Sequence, residues 1–301
     1  MEYSKPACSE EEHLRIMEER GLQIPDPDKA IHYLKYIGYY RLTGYCLPFQ
    51  HGEKGDHTFL KGATFDDVLR LYIYDRKLRL LVLDAIEEIE VAFRAVLSNT
   101  MSLAYGPHWY LDTKHFGNRY GKKGRRPYDH EKLLKEIDSA DNIFLRHYRS
   151  TYSSPAYPPS WMMIEVLSFG TCSILFAHLK KRQIALVSKE LGLEPKLLVS
   201  WMQGLVVLRN LSAHHGRLWN WKFPHTLSTW RNIPEDLSEN FAQSNTFYEY
   251  ACLVMFFLKL ISPETTWGKK LSALITEHKI KVSDMGFPKD WEDRIIWKYY
   301  L

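Results

Sequence analysis

The sequence predicts an all-α protein, and three observations carry that prediction. From residue 64 onward, apolar side chains such as Val68, Leu69, Tyr72, Ile73, Leu83 and Ile86 recur largely at helical steps. Glycines, prolines and short capping side chains fall where helices would begin and end. No run with a two-residue period is long enough to build a sheet. With 301 residues, 45% hydrophobic and 25% charged, the chain has ample length and apolar content for a globular core. A docking element over 1–63 and a main helical domain over 64–301 are the expected division.

In chain order, Ser9 and Glu12 make a capping box for a short amphipathic helix over 9–21, stopped by Gly21. Pro25-Asp26-Pro27 precedes a second helix over 28–37. Next comes Ile37-Gly38-Tyr39-Tyr40-Arg41-Leu42-Thr43-Gly44-Tyr45, which reads as tight turns wrapped in aromatic packing. Docking of the N-terminal helices is its first reading; base stacking or a phosphate contact through Arg41 is its second. Residues 51–63 form a polar loop. The helical pattern over 64–103 contains no Gly or Pro. That is long for a globular helix, so two helices meeting near Asp75-Arg76 are expected. Within it Glu90 and Arg94, one turn apart, form an ion pair or orient a site group.

Gly106-Pro107 ends that region. The stretch 114–126 then gathers Arg119, Lys122, Lys123, Arg125 and Arg126 without one acid, a composition suited to neutralising several phosphates. Helices follow over 129–149, after the Ser/Pro-rich connector over 161–179, and over 181–191 up to Gly192. Pro195 opens a helix at a tolerated first-turn position. After an aromatic-rich irregular stretch, two more helices are expected over 246–261 and 267–278.

Net charge is +4 and pI near 8.7, which permits an acidic partner without demanding one. Four scattered cysteines with no C-x-x-C argue against a disulfide framework or zinc knuckle and for a reducing cytoplasm. No apolar run has the length of a membrane span, so a cytoplasmic protein with no membrane partner is expected.

The chain's densest chemistry is Arg209-Asn210-Leu211-Ser212-Ala213-His214-His215-Gly216-Arg217-Leu218-Trp219-Asn220. Arg holds phosphate through a planar fork of donors, and His exchanges protons near neutral pH. R-x4-H alone is weak, because Arg125 and His130 match it in a loop with proline inside. On an unbroken helix Asn210 and His214 share a face, whereas Arg209 and His214 lie about 140° apart. Either Arg209 uses its reach, or the helix bends near Ser212, or the residues converge across a dimer. Two adjacent histidines with no H-E-x-x-H give a metal hydrolase little support.

The twelve residues 209–220 closely resemble the C-terminal signature of the Abi-like family, the AbiD/AbiF type abortive-infection proteins of bacteria. Gly21-Leu22, the stretch 37–45, Asp75 with Leu78-Arg79, Ile89-Glu90-Val91 with Arg94, Tyr105-Gly106 with Trp109-Tyr110, and Trp161 with Leu167-Ser168-Phe169-Gly170 resemble it in the same order. That family is similar to the HEPN superfamily of helical ribonucleases. The resemblance implies a HEPN-like helical bundle with an N-terminal helical extension, a homodimer, and RNA cleavage without metal or cofactor. It implies catalytic roles for Arg209, Asn210 and His214; His215 and Arg217 read as supporting residues, structural or RNA-contacting before catalytic. A small non-coding RNA is a further partner that the resemblance allows. The rival reading is a HEPN-like module that holds RNA or protein without cutting.

Overall fold

The computed structural model describes residues 2, 6–52, 57–117, 129–229 and 232–301. Among the described residues there are fourteen α-helices and no strand, so the all-α expectation stands. By contact the chain divides into two compact units. One is Met1–Leu78 with Ala273–Ile280, the other Arg79–Ser272 with Lys281–Leu301.

In the first unit, the Ser9 hydroxyl accepts from Glu12 N and the Glu12 carboxylate accepts from Ser9 N, starting α1 (Glu10–Glu19). The Asp26 carboxylate accepts from Lys29 N and starts α2 (Pro27–Ile37). The stretch expected as tight turns is instead a helix, α3 (Tyr39–Cys46), with Gly44 inside it. Only Gly38, at φ 90, makes the turn. Leu42, Tyr45 and Cys46 are buried because they recur at three- and four-residue steps on α3's inner face. The Tyr45 hydroxyl donates to the buried Asp75 carboxylate at 2.7 Å. Thr64 and Asp67 bond reciprocally at the start of α4 (Phe65–Tyr105). This helix runs 41 residues without interruption, contrary to the expected junction near Asp75-Arg76. Asp75 does not break it, since the carboxylate has a partner on α3 and apolar residues continue on both sides.

The second unit begins at Arg79, within α4. The helix expected over 129–149 is two, α5 (His130–Ser139) and α6 (Ile143–Thr151). The 161–179 helix is likewise α7 (Ser160–Val166) and α8 (Phe169–His178). In each case a short polar side chain restarts the helix: Asn142 accepts from Phe144 N and Ser168 from Thr171 N. Such caps satisfy orphan amide groups and win locally over the apolar period. Then follow α9 (Lys181–Glu190), α10 (Pro195–Ala213), α11 (Glu235–Ser238), α12 (Phe247–Ile261), α13 (Trp267–Glu277) and α14 (Ile295–Lys298). Only the first part of α13, to Ser272, belongs to this unit.

Helix α10 is the unit's centre, packing against α8, α9 and α12 with Trp201, Leu205 and Leu208 fully buried. Burying side chains of that size stabilises by about 1.5–3 kcal/mol each. Among the described residues no single helix is long and apolar enough to cross a membrane. Helices α9 and α10 reach that length only together, bent by 77°.

Candidate functional site

The site is built where α10 stops. His214 N–H donates to Asn210 O at 2.9 Å, His215 N–H to Ser212 O at 3.2 Å, and Gly216 N–H to Leu211 O at 2.8 Å. His215 takes φ 60. This bond pattern with one left-handed residue is a Schellman closure, which normally places glycine where His215 stands. Gly216 has no room for more: a Cβ there would lie 2.2 Å from Leu211 Cδ1 and 3.0 Å from Leu211 O. Arg79, on α4 and only 4% exposed, donates to Gly216 O at 3.3 Å. The chain therefore leaves α10 along a fixed path, and Trp219, also buried, anchors it further on. Arg217 sits 5.9 Å from the Trp219 ring, within cation–π range.

The helix is not interrupted near Ser212. It runs to Ala213 and His214 still bonds to the carbonyl one turn back. Arg209 and His214 thus keep the helical separation of about 140°, and Asn210 stays one turn below His214. His214 and His215 are exposed, while Arg209, Asn210 and Arg217 are half-buried.

Arg209 lines a cavity of about 280 Å³ together with Leu83, Ile86, Glu87, Glu90 and Arg94 of α4. Glu90 and Arg94 are ion-paired, with side chains 19% and 13% exposed. The same Arg94 guanidinium donates to Leu167 O at 2.9 Å and to Glu165 O at 3.4 Å. It thereby caps carbonyls at the end of α7, which the helix leaves without partners. Both terminal nitrogens of Arg94 are engaged. Arg209 makes no hydrogen bond or ion pair among the described residues, so it is the guanidinium with donors to offer a ligand.

Cys46 and Cys172 are buried, and burial pushes each thiol up to about 12. Among the described residues no three His, Cys, Asp or Glu side chains gather as metal ligands.

The structure thus brings Arg209, Glu90 and Arg94 to one cavity and puts His214 and His215 at the helix end beside it in sequence. Arg41 is exposed on α3 of the first unit. Arg119, Lys122, Lys123, Arg125 and Arg126 lie outside the described residues. Sequence reasoning assigned no role to Arg79, although a cation at helical spacing among buried apolar residues was a usable signal.

Fold and site define a helical protein whose central apolar helix ends in an Arg/His cluster beside a paired Glu and Arg. The family model described as Abi-like protein matches residues 32–220, well over half of the chain, and the chain belongs to that family. No curated protein and no solved structure matches it. Membership points to abortive infection and is compatible with an enzymatic role.

Proposed function

We propose that the protein is a metal-independent endoribonuclease of the HEPN type, acting in abortive infection. The observation that carries this reading is Arg209, a half-buried guanidinium with no partner among the described residues, facing a cavity five residues before the exposed His214. Glu90 neutralises Arg94, which leaves Arg209 as the cation for an entering phosphate.

In the reaction, the 2′-hydroxyl oxygen attacks phosphorus and the bond to the 5′ oxygen breaks. The products are a 2′,3′-cyclic phosphate and a 5′-hydroxyl end. One proton leaves the 2′ oxygen and one reaches the 5′ oxygen, so no water is consumed. Arg209 holds the phosphate oxygens through its fork and stabilises charge developing there. His214 carries one of the two proton transfers, a contribution of roughly 10²–10⁴-fold. Asn210, one turn below, orients His214 or touches the phosphate, and His215 and Arg217 contact RNA around it. The 140° between Arg209 and His214 favours a homodimer, in which a second copy of His214 supplies the other transfer. DNA, lacking the 2′-hydroxyl, is spared. The basic stretch 114–126 holds substrate or a resident small RNA.

Arg209→Ala and His214→Ala are expected to lose cleavage by at least about a hundredfold with unchanged circular dichroism. Excess chelator is expected to leave the wild-type rate as it was. Undiminished cutting by a clean preparation of either variant contradicts the assignment. Lost cutting with RNA affinity retained separates catalysis from binding.

A further inference from the structure

The Arg209 cavity is lined by two adjacent rows of α4. Leu83, Glu87 and Val91 stand one turn apart in the first row, and Ile86, Glu90 and Arg94 in the second. A carboxylate thus sits at the middle of each. Glu90 is taken by Arg94. The other acids nearby on α4 are taken as well: Asp84 lies 3.8 Å from Lys270 Nζ, and the Glu88 carboxylate accepts from Ser262 Oγ at 2.7 Å. Glu87 is exposed and makes no hydrogen bond or ion pair among the described residues, with Arg209 or with any other group. The cavity therefore presents four charged groups, of which Glu90 and Arg94 cancel each other. One guanidinium and one carboxylate remain for a ligand, over a lining of Leu83, Ile86 and Val91. Val91 is 57% exposed, so apolar surface one turn from Glu87 is open to that ligand.

Hydrogen-bond chemistry selects the ligand. The phosphate reading of Arg209 brings a nucleotide to this lining. A volume of about 280 Å³ falls just below the roughly 300 Å³ at which pockets for drug-sized ligands begin, which suits one planar base. An ionised carboxylate only accepts hydrogen bonds. On the pairing edge, adenine and cytosine each set an amino donor beside a ring-nitrogen acceptor, and uracil sets a single N–H between two carbonyls. A carboxylate there gains one donor and faces a neighbouring lone pair. Guanine offers two adjacent donors, N1–H and the 2-amino group, which match the two carboxylate oxygens. Unstacked bases of single-stranded RNA are read on this edge.

We propose that the Arg209 cavity is a guanine subsite. Glu87 accepts from N1–H and the 2-amino group, the base lies over Leu83 and Val91, and Arg209 holds the adjoining phosphate. The subsite rests on RNA being the substrate of this site, and it names the base next to the cut.

The test uses full-length His214→Ala protein and fluorescent oligouridines carrying one central guanosine, adenosine, cytidine or uridine, with affinity read by anisotropy. The guanosine oligonucleotide is expected to bind on the order of tenfold more tightly than the others, and Glu87→Gln to remove that margin. Inosine at the centre, which lacks the 2-amino donor, is expected to lose most of it. Central 7-deazaguanosine, which keeps both donors, is expected to retain it. Equal affinity for the four, no measurable binding, or a margin that survives Glu87→Gln overturns the subsite. If the Glu87 variant fails to fold, the two analogues decide, and equal behaviour of both rejects the subsite. Loss of the margin together with a changed oligomeric state in light scattering assigns Glu87 to a contact between copies and also rejects it. Cutting by wild type without regard to guanosine rejects the subsite and leaves the ribonuclease reading intact. A margin that depends on Glu87, in a protein whose wild type cuts nothing, does the reverse.

Discussion

His215 stands where a helix closure prefers glycine, and the left-handed backbone there costs a non-glycine residue about 1–2 kcal/mol. Strain of this kind persists where surrounding structure over-determines it. Here the bond from Gly216 N–H to Leu211 O and the Arg79 contact to Gly216 O do so. Gly216→Ala is therefore expected to cost about 1–3 kcal/mol in thermal or denaturant unfolding and to lower cleavage, because Leu211 must move and the path after His214 moves with it. An unchanged melting temperature contradicts that packing argument. Arg209, Asn210 and His214 were legible as residue types at a meaningful spacing. The closure was not, because His at a left-handed position is a demand of the chain's exit route and leaves no mark in composition.

At the scale of the element, α10 shows why a helix can carry a residue its propensity disfavours. Gly204 lies mid-helix, where alanine would gain about 1 kcal/mol from propensity alone. A Cβ there would come within 2.5 Å of Leu227 Cδ2 and 3.4 Å of the His225 and Tyr250 rings. Overpacking of that severity costs about 1–3 kcal/mol, so Gly204→Ala is expected to destabilise, read as a lower denaturant midpoint at unchanged slope. A gain in stability contradicts the tight approach. Apolar periodicity placed α10 and α12 well, because both bury long continuous faces. It merged α5 with α6 and α7 with α8, since Asn142 and Ser168 act through local caps that a periodicity count overlooks. It also suggested a break in α4 that Asp75, satisfied by Tyr45, does not make. The four-residue helices α11 and α14 are too short to show any period.

On the scale of the whole molecule, stability is tied to pH through buried and half-buried imidazoles. Burial holds His115, His225 and His278 below the ordinary 6.5. The unfolded chain takes up these protons from about 6.5 downward while the folded chain resists them. The stability is thus fully present above that value and is lost as pH falls through the depressed folded values. The melting temperature is expected to fall between about pH 7 and pH 5.5, and His225→Gln to flatten part of that fall. An identical pH profile in the variant removes His225 from the explanation. The two-unit division was harder to read than the fold class, because its boundary at Leu78 lies inside one continuous helix and composition does not change there. The central claim is RNA cleavage by transfer to the 2′ oxygen, and the ends of the cut RNA test it most directly. Wild-type protein in excess chelator is expected to leave 2′,3′-cyclic phosphate and 5′-hydroxyl ends, with none from His214→Ala. A 5′-phosphate and free 3′-hydroxyl, or equal product from the variant, contradicts it.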